Sequence, residues 1–468
     1  MPEKYHIGTK PVPPRRPRIG KYGIVDWRED CARCHNCVKK ACVYDRHRDE
    51  MKYIKSLDAV DALFFDCMGC FSCVQDCTKN LLCLSINPEY EKLGDSYWTP
   101  EIIQTTWIQA ETAQIPVSGA GYGGKFSGCG FDSMWTDMSE IVRPTRDGIH
   151  GREYISTAVD IGQRPSFLLL NGEEVANYLP PILSNPMPLI IDQIPGKYSL
   201  PKLDAVILAT ALKTNLIAVI DSKKWSLFEN DGAKYLPNVA FYFAYGAGMV
   251  PDDILKKTRL AEIEDGVDVK SRISELKQIH PDIIVSVRVE LNSTGIQRAV
   301  DLADSDIEVI HIVADNNGRE IGSANPMFIK DMIRKIHRSL IEKGVRDDVT
   351  IIAGGGIALP EHMAKGLLCG ADLVSIEMPL LVGLECHLCQ ECEEGHACPA
   401  KIGEISLEYG VGRMTNLISA WYDQLIELMG AMGMRDARRL RGDVGRAMFF
   451  EQLEEEAFGK LFGKRLQA

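Results

Sequence analysis

The chain has 468 residues, a formal net charge of −12, 45% hydrophobic residues and 25% charged ones. These proportions exclude a disordered or collagen-like chain, and the acidic balance excludes general nucleic-acid binding, which needs a basic surface. No run of about 18 apolar residues calls for a membrane-spanning helix, and the N-terminal stretch lacks the apolar segment of a secretory signal, so a cytoplasmic location is expected.

Residues 1–22 hold five prolines and six Lys or Arg, which reads as an extended, exposed arm; its arginines Arg15, Arg16 and Arg18 either dock a partner or are simply solvated. Residues 23–90 follow with two cysteine runs. Of the fifteen cysteines in the chain, nine lie between Cys31 and Cys83 and four between Cys386 and Cys398. In a long chain expected in a reducing compartment, such clusters read as metal sites rather than a disulfide scaffold. Cys31, Cys34 and Cys37 form C-x2-C-x2-C, followed by Cys42; Cys67, Cys70 and Cys73 repeat it, followed by Cys77. Three thiolates spaced in this way wrap one face of a cubane cluster. In two-cluster ferredoxins the fourth cysteine of each run ligates the other cluster. That rule gives one [4Fe-4S] cluster to Cys31, Cys34, Cys37 and Cys77, and the other to Cys67, Cys70, Cys73 and Cys42. Zinc is the alternative, since four-cysteine zinc sites also use C-x2-C pairs. Val43 and Thr78 stand where a proline usually follows the run. Cys83 reads as a spare, buried thiol.

Residues 91–185 form a linker or cap segment with little pattern. It contains the Gly-rich GAGYGGKFSGCGF around Cys129, and then Arg143, Arg146, His150 and Arg152, which either grip an anionic ligand or form a solvated loop. From residue 186 apolar strand-like runs alternate with helix-like stretches. The strands fall at 188–192, 215–221, 239–246, 282–290, 308–315, 349–356 and 371–378. An eighth is expected within 247–267. Near-continuous apolar strands alternating with helices imply a parallel sheet covered by helices. Eight of them close an α/β barrel of the (β/α)8, TIM-like kind over 186–385, with an open doubly wound sheet as the alternative.

Barrel phosphate sites commonly use the loops after the last two strands, and glycines let backbone N–H groups approach a phosphate. Gly354, Gly355, Gly356 and Gly370 suit that role, although such glycines are equally often plain turns. Electron-carrying clusters call for a two-electron partner, and FMN fits. Arg288, within a strand, either stabilises reduced flavin or forms a salt bridge inside the barrel. Asp315 and Asn316 either hydrogen-bond flavin or substrate, or cap the next helix. Directly after the last strand, at 386–400, Cys386, Cys389, Cys392 and Cys398 supply four thiolates on one short loop, enough for a third [4Fe-4S] cluster or a zinc ion. Residues 401–468 read as a helical C-terminal tail. No catalytic residue is singled out.

The stretch ISELKQIHPDIIVSVRVE, then EVIHIVAD, VRDDVTIIAGGGI and LLCGADLVSIEMPLLVGLEC resembles the FMN-binding domain of glutamate synthase, in the archaeal-type branch that joins a two-cluster ferredoxin segment to the barrel. The resemblance implies a (β/α)8 barrel with FMN, three clusters and an oxidoreductase served by ferredoxin or other redox subunits, within a hetero-oligomeric complex. By the same resemblance Arg288 stands at the family's flavin-side lysine, Gly354–Gly356 and Gly370 at its phosphate loops, and Cys386, Cys392 and Cys398 at its cluster cysteines; Cys389 adds a fourth. Two stretches depart. YGAGMVPDD (245–253) puts Gly248 in place of a lysine, and ADNNGREIGSANP (314–326) replaces a glycine-rich loop. Electron transfer is therefore expected ahead of reductive amination of 2-oxoglutarate, with a flavin-free relay subunit as a third reading. Pro2 after Met1 implies no glutaminase nucleophile at that position.

Overall fold

The computed structural model describes residues 5–16, 19–26, 32, 34, 36, 43, 70–115, 130–136, 154–164, 169–171, 174–175, 179–198, 201–305, 307–392 and 396–463. The chain divides into two compact units. One comprises residues 1–12, 106–384 and 401–468, the other residues 13–105 and 385–400.

The first unit is built on a closed barrel of eight strands. They are β1 (Leu189–Ile191), β2 (Ala218–Asp221), β3 (Val239–Phe243), β4 (Leu260–Glu264), β5 (Ile284–Glu290), β6 (Val309–Val313), β7 (Thr350–Gly354) and β8 (Leu373–Ile376). Every neighbouring pair is parallel, β8 pairs with β1, and β2 pairs with β3. The alternation expected from the sequence is thus realised as a closed barrel, and the open sheet is excluded. The eighth strand lies in 247–267 as β4.

These segments become strands because they are rich in Val and Ile, whose branched side chains fit a pleated surface. Both faces are buried: β7 and β8 are buried at every position. Helices cover the outside, including Pro201–Thr214, Val269–Ile279, Gly295–Ala303, Ile329–Lys343 and Pro360–Cys369. Gly344, with φ of +76°, stops the helix at Lys343, since glycine takes the left-handed conformation without a Cβ penalty.

The segments outside the barrel are less tail-like than expected. Leu407–Ala431 is one long helix. It packs against Pro201–Thr214 closely enough that a Cβ on Gly410 would stand 2.8 Å from Val206. Arg413 on this helix is fully buried, and its guanidinium donates to the carbonyls of Gly383, Val12 and Trp107. Further on, Ala447–Phe449 pairs antiparallel with Met134–Thr136. The described part of the N-terminal arm is extended and largely exposed, and it is tethered at two buried residues. Ile7 and Val12 are buried, the Val12 N–H donates to Glu111, and the carbonyl of Lys10 accepts from Asn416. Part of 91–185 closes the N-terminal end of the barrel. Val159–Ile161 pairs with Leu183–Asn185, and the Thr350 hydroxyl, at the start of β7, bonds both the N–H and the carbonyl of Gly162.

In the second unit Tyr22–Asp26 pairs antiparallel with Leu82–Ile86, and Ser72–Gln75 forms one helical turn. The loop carrying Cys386 to Cys398 belongs to this unit, not to the barrel. Among the described residues no helix is long and apolar enough to cross a membrane.

Candidate functional site

The C-terminal half of the barrel lumen is polar. Asp192 follows β1, Glu262 lies on β4, Arg288 on β5, His311 on β6 and Ser375 on β8. Arg288 forms a two-pronged pair with Asp192, Nη1 to Oδ1 at 2.9 Å and Nη2 to Oδ2 at 2.9 Å, and its Nη1 also reaches Glu262 Oε1 at 2.9 Å. The second Glu262 oxygen meets His311 Nδ1 at 2.7 Å, and His311 Nε2 meets the Ser375 hydroxyl at 2.9 Å. Ser375 in turn donates to Asp192 at 3.4 Å. The ring of contacts therefore closes on itself. Tyr242 on β3 lies under the Arg288 guanidinium, 5.6 Å from ring centroid to Cζ.

Burial alone would push the carboxyl of Asp192 up, but the charges of Arg288 and His311 outweigh it and hold Asp192 at about 2. Glu262 is likewise held below the ordinary range: burial opposes this, and His311 and Arg288 prevail. Arg288 sits well above its usual value, because Asp192 and Glu262 overcome the cost of its burial. A buried charge survives when it is paired and hydrogen-bonded. Here two carboxylates share one guanidinium, so its charge is more than compensated. Glu377, just after β8, is a buried carboxyl pushed up to about 8 by burial and by the charge of Asp192.

Of the two sequence readings of Arg288, the salt bridge inside the barrel is the arrangement present. Asp315 organises the turn after β6: its carboxylate accepts from the N–H groups of Asn317 (2.9 Å) and Arg319 (2.7 Å). Asn316 lies in the same turn. Gly354, Gly355 and Gly356 end β7 at the same rim. A Cβ on Gly354 would stand 2.3 Å from Ser375 Oγ; on Gly355, 2.6 Å from the carbonyl oxygens of Ala314 and Asp315; on Gly356, 2.4 Å from Gly318 Cα. These glycines bring the β6 and β7 loops together. Gly370 does not join them. It caps the helix Pro360–Cys369 and precedes β8, at the opposite rim, where a Cβ would stand 2.4 Å from His337. The loop after β8 instead offers Glu377, Met378 and Pro379.

The altered loop at 245–253 is anchored: Arg272 donates to the carbonyls of Ala244 and Ala247, and the Tyr245 N–H donates to Glu264. Sequence reasoning missed Asp192, Glu262, His311, Ser375 and Glu377. The available signal was a polar residue at one level in several otherwise apolar strands.

In the second unit Cys34, Cys70, Cys73 and Cys77 are described, and Cys31, Cys37, Cys42 and Cys67 lie outside the described residues, as do Cys129, Arg143, Arg146, His150 and Arg152. The Cys34 thiol and Thr78 hydroxyl, from different runs, are 3.9 Å apart, and the Leu81 N–H donates to Cys77 Sγ at 3.3 Å. In the later loop none of the four cysteines forms a disulfide. Burial, with the nearby thiols of Cys398, Cys389 and Cys392, pushes Cys386 up to about 12. The Leu388 N–H donates to Cys386 Sγ. Glu385, Leu388 and Gln390 have φ of 74°, 50° and 63°, a concentration of left-handed non-glycine residues of the kind found where a loop is shaped for a ligand. Among the described residues no three His, Cys, Asp or Glu stand at metal-ligating separation.

Residues 251–435 match the conserved region in glutamate synthase. Over these residues the chain is similar to glutamate synthase. It is 25% identical to the archaeal-type glutamate synthase (NADPH) of Dehalococcoides mccartyi, over 90% of this chain and 93% of that one. It is 23% identical to the archaeal glutamate synthase (NADPH) of Archaeoglobus fulgidus, over 90% and 92%. The likeness to the enzyme of Methanocaldococcus jannaschii is 30% over 39% and 38%. A mutant flavocytochrome b2 with pyruvate bound aligns over 81% of this chain and 88% of its own, with a TM-score of 0.42 and 12% identity.

Proposed function

We propose that the chain is an iron–sulfur flavoprotein oxidoreductase that passes electrons between [4Fe-4S] clusters and FMN within a larger cytoplasmic redox complex. The observation that carries this reading is the pairing of a glutamate synthase-like barrel with three cysteine runs, the third directly after β8. Ferredoxin-like clusters would use Cys31, Cys34, Cys37 and Cys77, and Cys67, Cys70, Cys73 and Cys42. The antiparallel pairing of strands on either side of these runs suits a ferredoxin-like segment over 23–90. A third cluster would use Cys386, Cys389, Cys392 and Cys398. The four cysteines outside any disulfide, the N–H bonded to sulfur and the left-handed backbone suit a cluster-binding loop.

For FMN, the donor set fits the ring end better than the phosphate end. Arg288, Asp315 and Asn316 stand at the mouth, and the backbone of Gly354, Gly355 and Gly356 would face the phosphate. Gly370 is at the wrong rim for this, and Glu377 and Pro379 supply a carboxyl and a missing N–H where a phosphate wants donors. Bound FMN would supply the exchange between one-electron and two-electron steps. The chain's own residues fix Arg288 through Asp192 and Glu262, and Glu377 holds a proton beside that pair.

A second reading is glutamate synthase itself, with ferredoxin as donor. Relatives named glutamate synthase (NADPH), matching along 90% of the chain, favour the activity but name a different donor. Iron and released flavin measured on protein purified without oxygen test the first reading. About twelve irons, from the thiolate count, with one FMN support it. Iron without flavin leaves a relay subunit, and zinc in place of iron overturns it. Glutamate formed from reduced ferredoxin, 2-oxoglutarate and ammonium would establish the second.

A further inference from the structure

The loop from Cys386 to Cys398 is held at both ends by one side chain from far away in sequence. The Arg15 N–H donates to Glu385 Oε1 at 2.8 Å, its Nε donates to Glu385 Oε2 at 3.1 Å, and its Nη2 donates to the carbonyl of Ala400 at 2.7 Å. Glu385 immediately precedes the first cysteine of the loop; Ala400 follows the last by two residues. All of these residues belong to the same compact unit. Between the two stems no described residue is helical or in a strand; the loop's own bonds from His396 to Glu391 lie in its middle, not at the stems.

Glu385 itself is buried and left-handed, with φ of 74°. A non-glycine residue holds that conformation only where its surroundings over-determine it. The three contacts of Arg15 are what the surroundings supply. Lysine could not replace it: an ammonium is one point of charge, whereas the planar guanidinium reaches the carboxylate and the carbonyl along fixed directions. A further tether ties the loop's first turn, where the carbonyl of His387 accepts from the Gly94 N–H at 2.9 Å.

We infer that Arg15 is the positioning residue of the third cysteine loop, fixing the separation of its two stems so that a metal cluster has only to draw in the four thiolates between them. This rests on the reading of that loop as a cluster site. Through these contacts Arg15 acts by shortening the loop that the cluster must close, which lowers the entropy cost of bringing four ligands together.

The test uses the full chain, purified without oxygen, as wild type and as R15A, R15K, E385A, R15A/E385A and K10A. The readouts are iron per chain, the low-temperature EPR of the reduced clusters, and the rate at which a chelator removes iron. Expected for R15A is a fall from about twelve irons to about eight, or release of the third cluster at least about tenfold faster, with the other two clusters retained. R15K falls between wild type and R15A. The double variant is no worse than either single one, because both break the same latch. K10A, which loses only the exposed pair of Lys10 with Glu408, behaves as wild type. R15A with wild-type iron and wild-type release overturns the inference and leaves the cluster reading standing. A wild-type loop that binds no metal overturns both, and is told apart because the wild type itself then fails.

Discussion

Replacing Arg288 by methionine removes the one cation shared by Asp192 and Glu262. Both carboxylates are buried, at 2% residue exposure each, and Arg288 contacts them through three hydrogen bonds of 2.9 Å. Methionine preserves most of the side-chain volume, so the dominant loss is charge compensation. Removing one partner of a buried pair costs about 3–5 kcal/mol. For a domain of this size that is a fall in Tm of roughly 10 °C. The assay is thermal unfolding of the full-length variant, followed by near-ultraviolet circular dichroism, over a range of pH. The sign of the pH dependence is fixed. Asp192 is held at about 2 in the wild type, below its unfolded value of about 3.9. Its contribution is therefore present above pH 4 and lost as pH falls from about 4 towards 2. In the variant that depression is gone, so the gap between wild type and variant narrows as the pH falls below 4. A variant as stable as wild type at pH 7, or a gap that widens in acid, would refute a lumen held together by this ion-pair network.

Glu377→Gln is expected to remove a pH slope of the opposite sign. With its carboxyl held up to about 8, the native state keeps a proton that the unfolded chain loses near pH 4.3, so wild-type stability falls between about pH 4 and 8 relative to the variant. Thermal melts at pH 5 and pH 9 check this, and a constant difference would count against it. Gly356→Ala should destabilise by more than about 1 kcal/mol, since φ is +68° and the new Cβ would meet Gly318 at 2.4 Å; hydrogen exchange in the 314–318 loop should rise with it. Thr350→Val leaves the Gly162 N–H without its hydroxyl partner and should cost about 1–3 kcal/mol in urea unfolding.

The barrel was legible because its strands are apolar on both faces, and β4 was the hard case for a physical reason. Its sequence, Leu-Ala-Glu-Ile-Glu, places Glu262 in the lumen, where the carboxylate is consumed by Arg288 and His311; from sequence the segment reads as too polar for a buried strand. The same fact hid most of the lumen network. Arg288 stood out by its charge, but its partners come from β1 and β4, and no local spacing links them. Gly370 was misplaced because a glycine ending a helix and one facing a phosphate look alike in sequence; its φ of +123° belongs to the helix cap. The anchoring of the arm at Val12 was not legible, because the groups that bury it, on Leu407–Ala431, lie about four hundred residues away.

The two compact units are interleaved along the chain, which passes from one to the other after residues 12, 105, 384 and 400. During synthesis, then, the thiols of the first cysteine runs leave the ribosome long before Cys386 does, with all eight barrel strands translated in between. A chain halted before residue 385 would carry the first cysteine runs without the last loop of their unit, and a barrel lacking its Leu407–Ala431 cover. Maturation therefore cannot proceed unit by unit from the N-terminus. On the proposed function, metal delivery to the last loop waits for nearly the whole polypeptide, and truncation at any of these four crossings should yield insoluble fragments rather than separable modules.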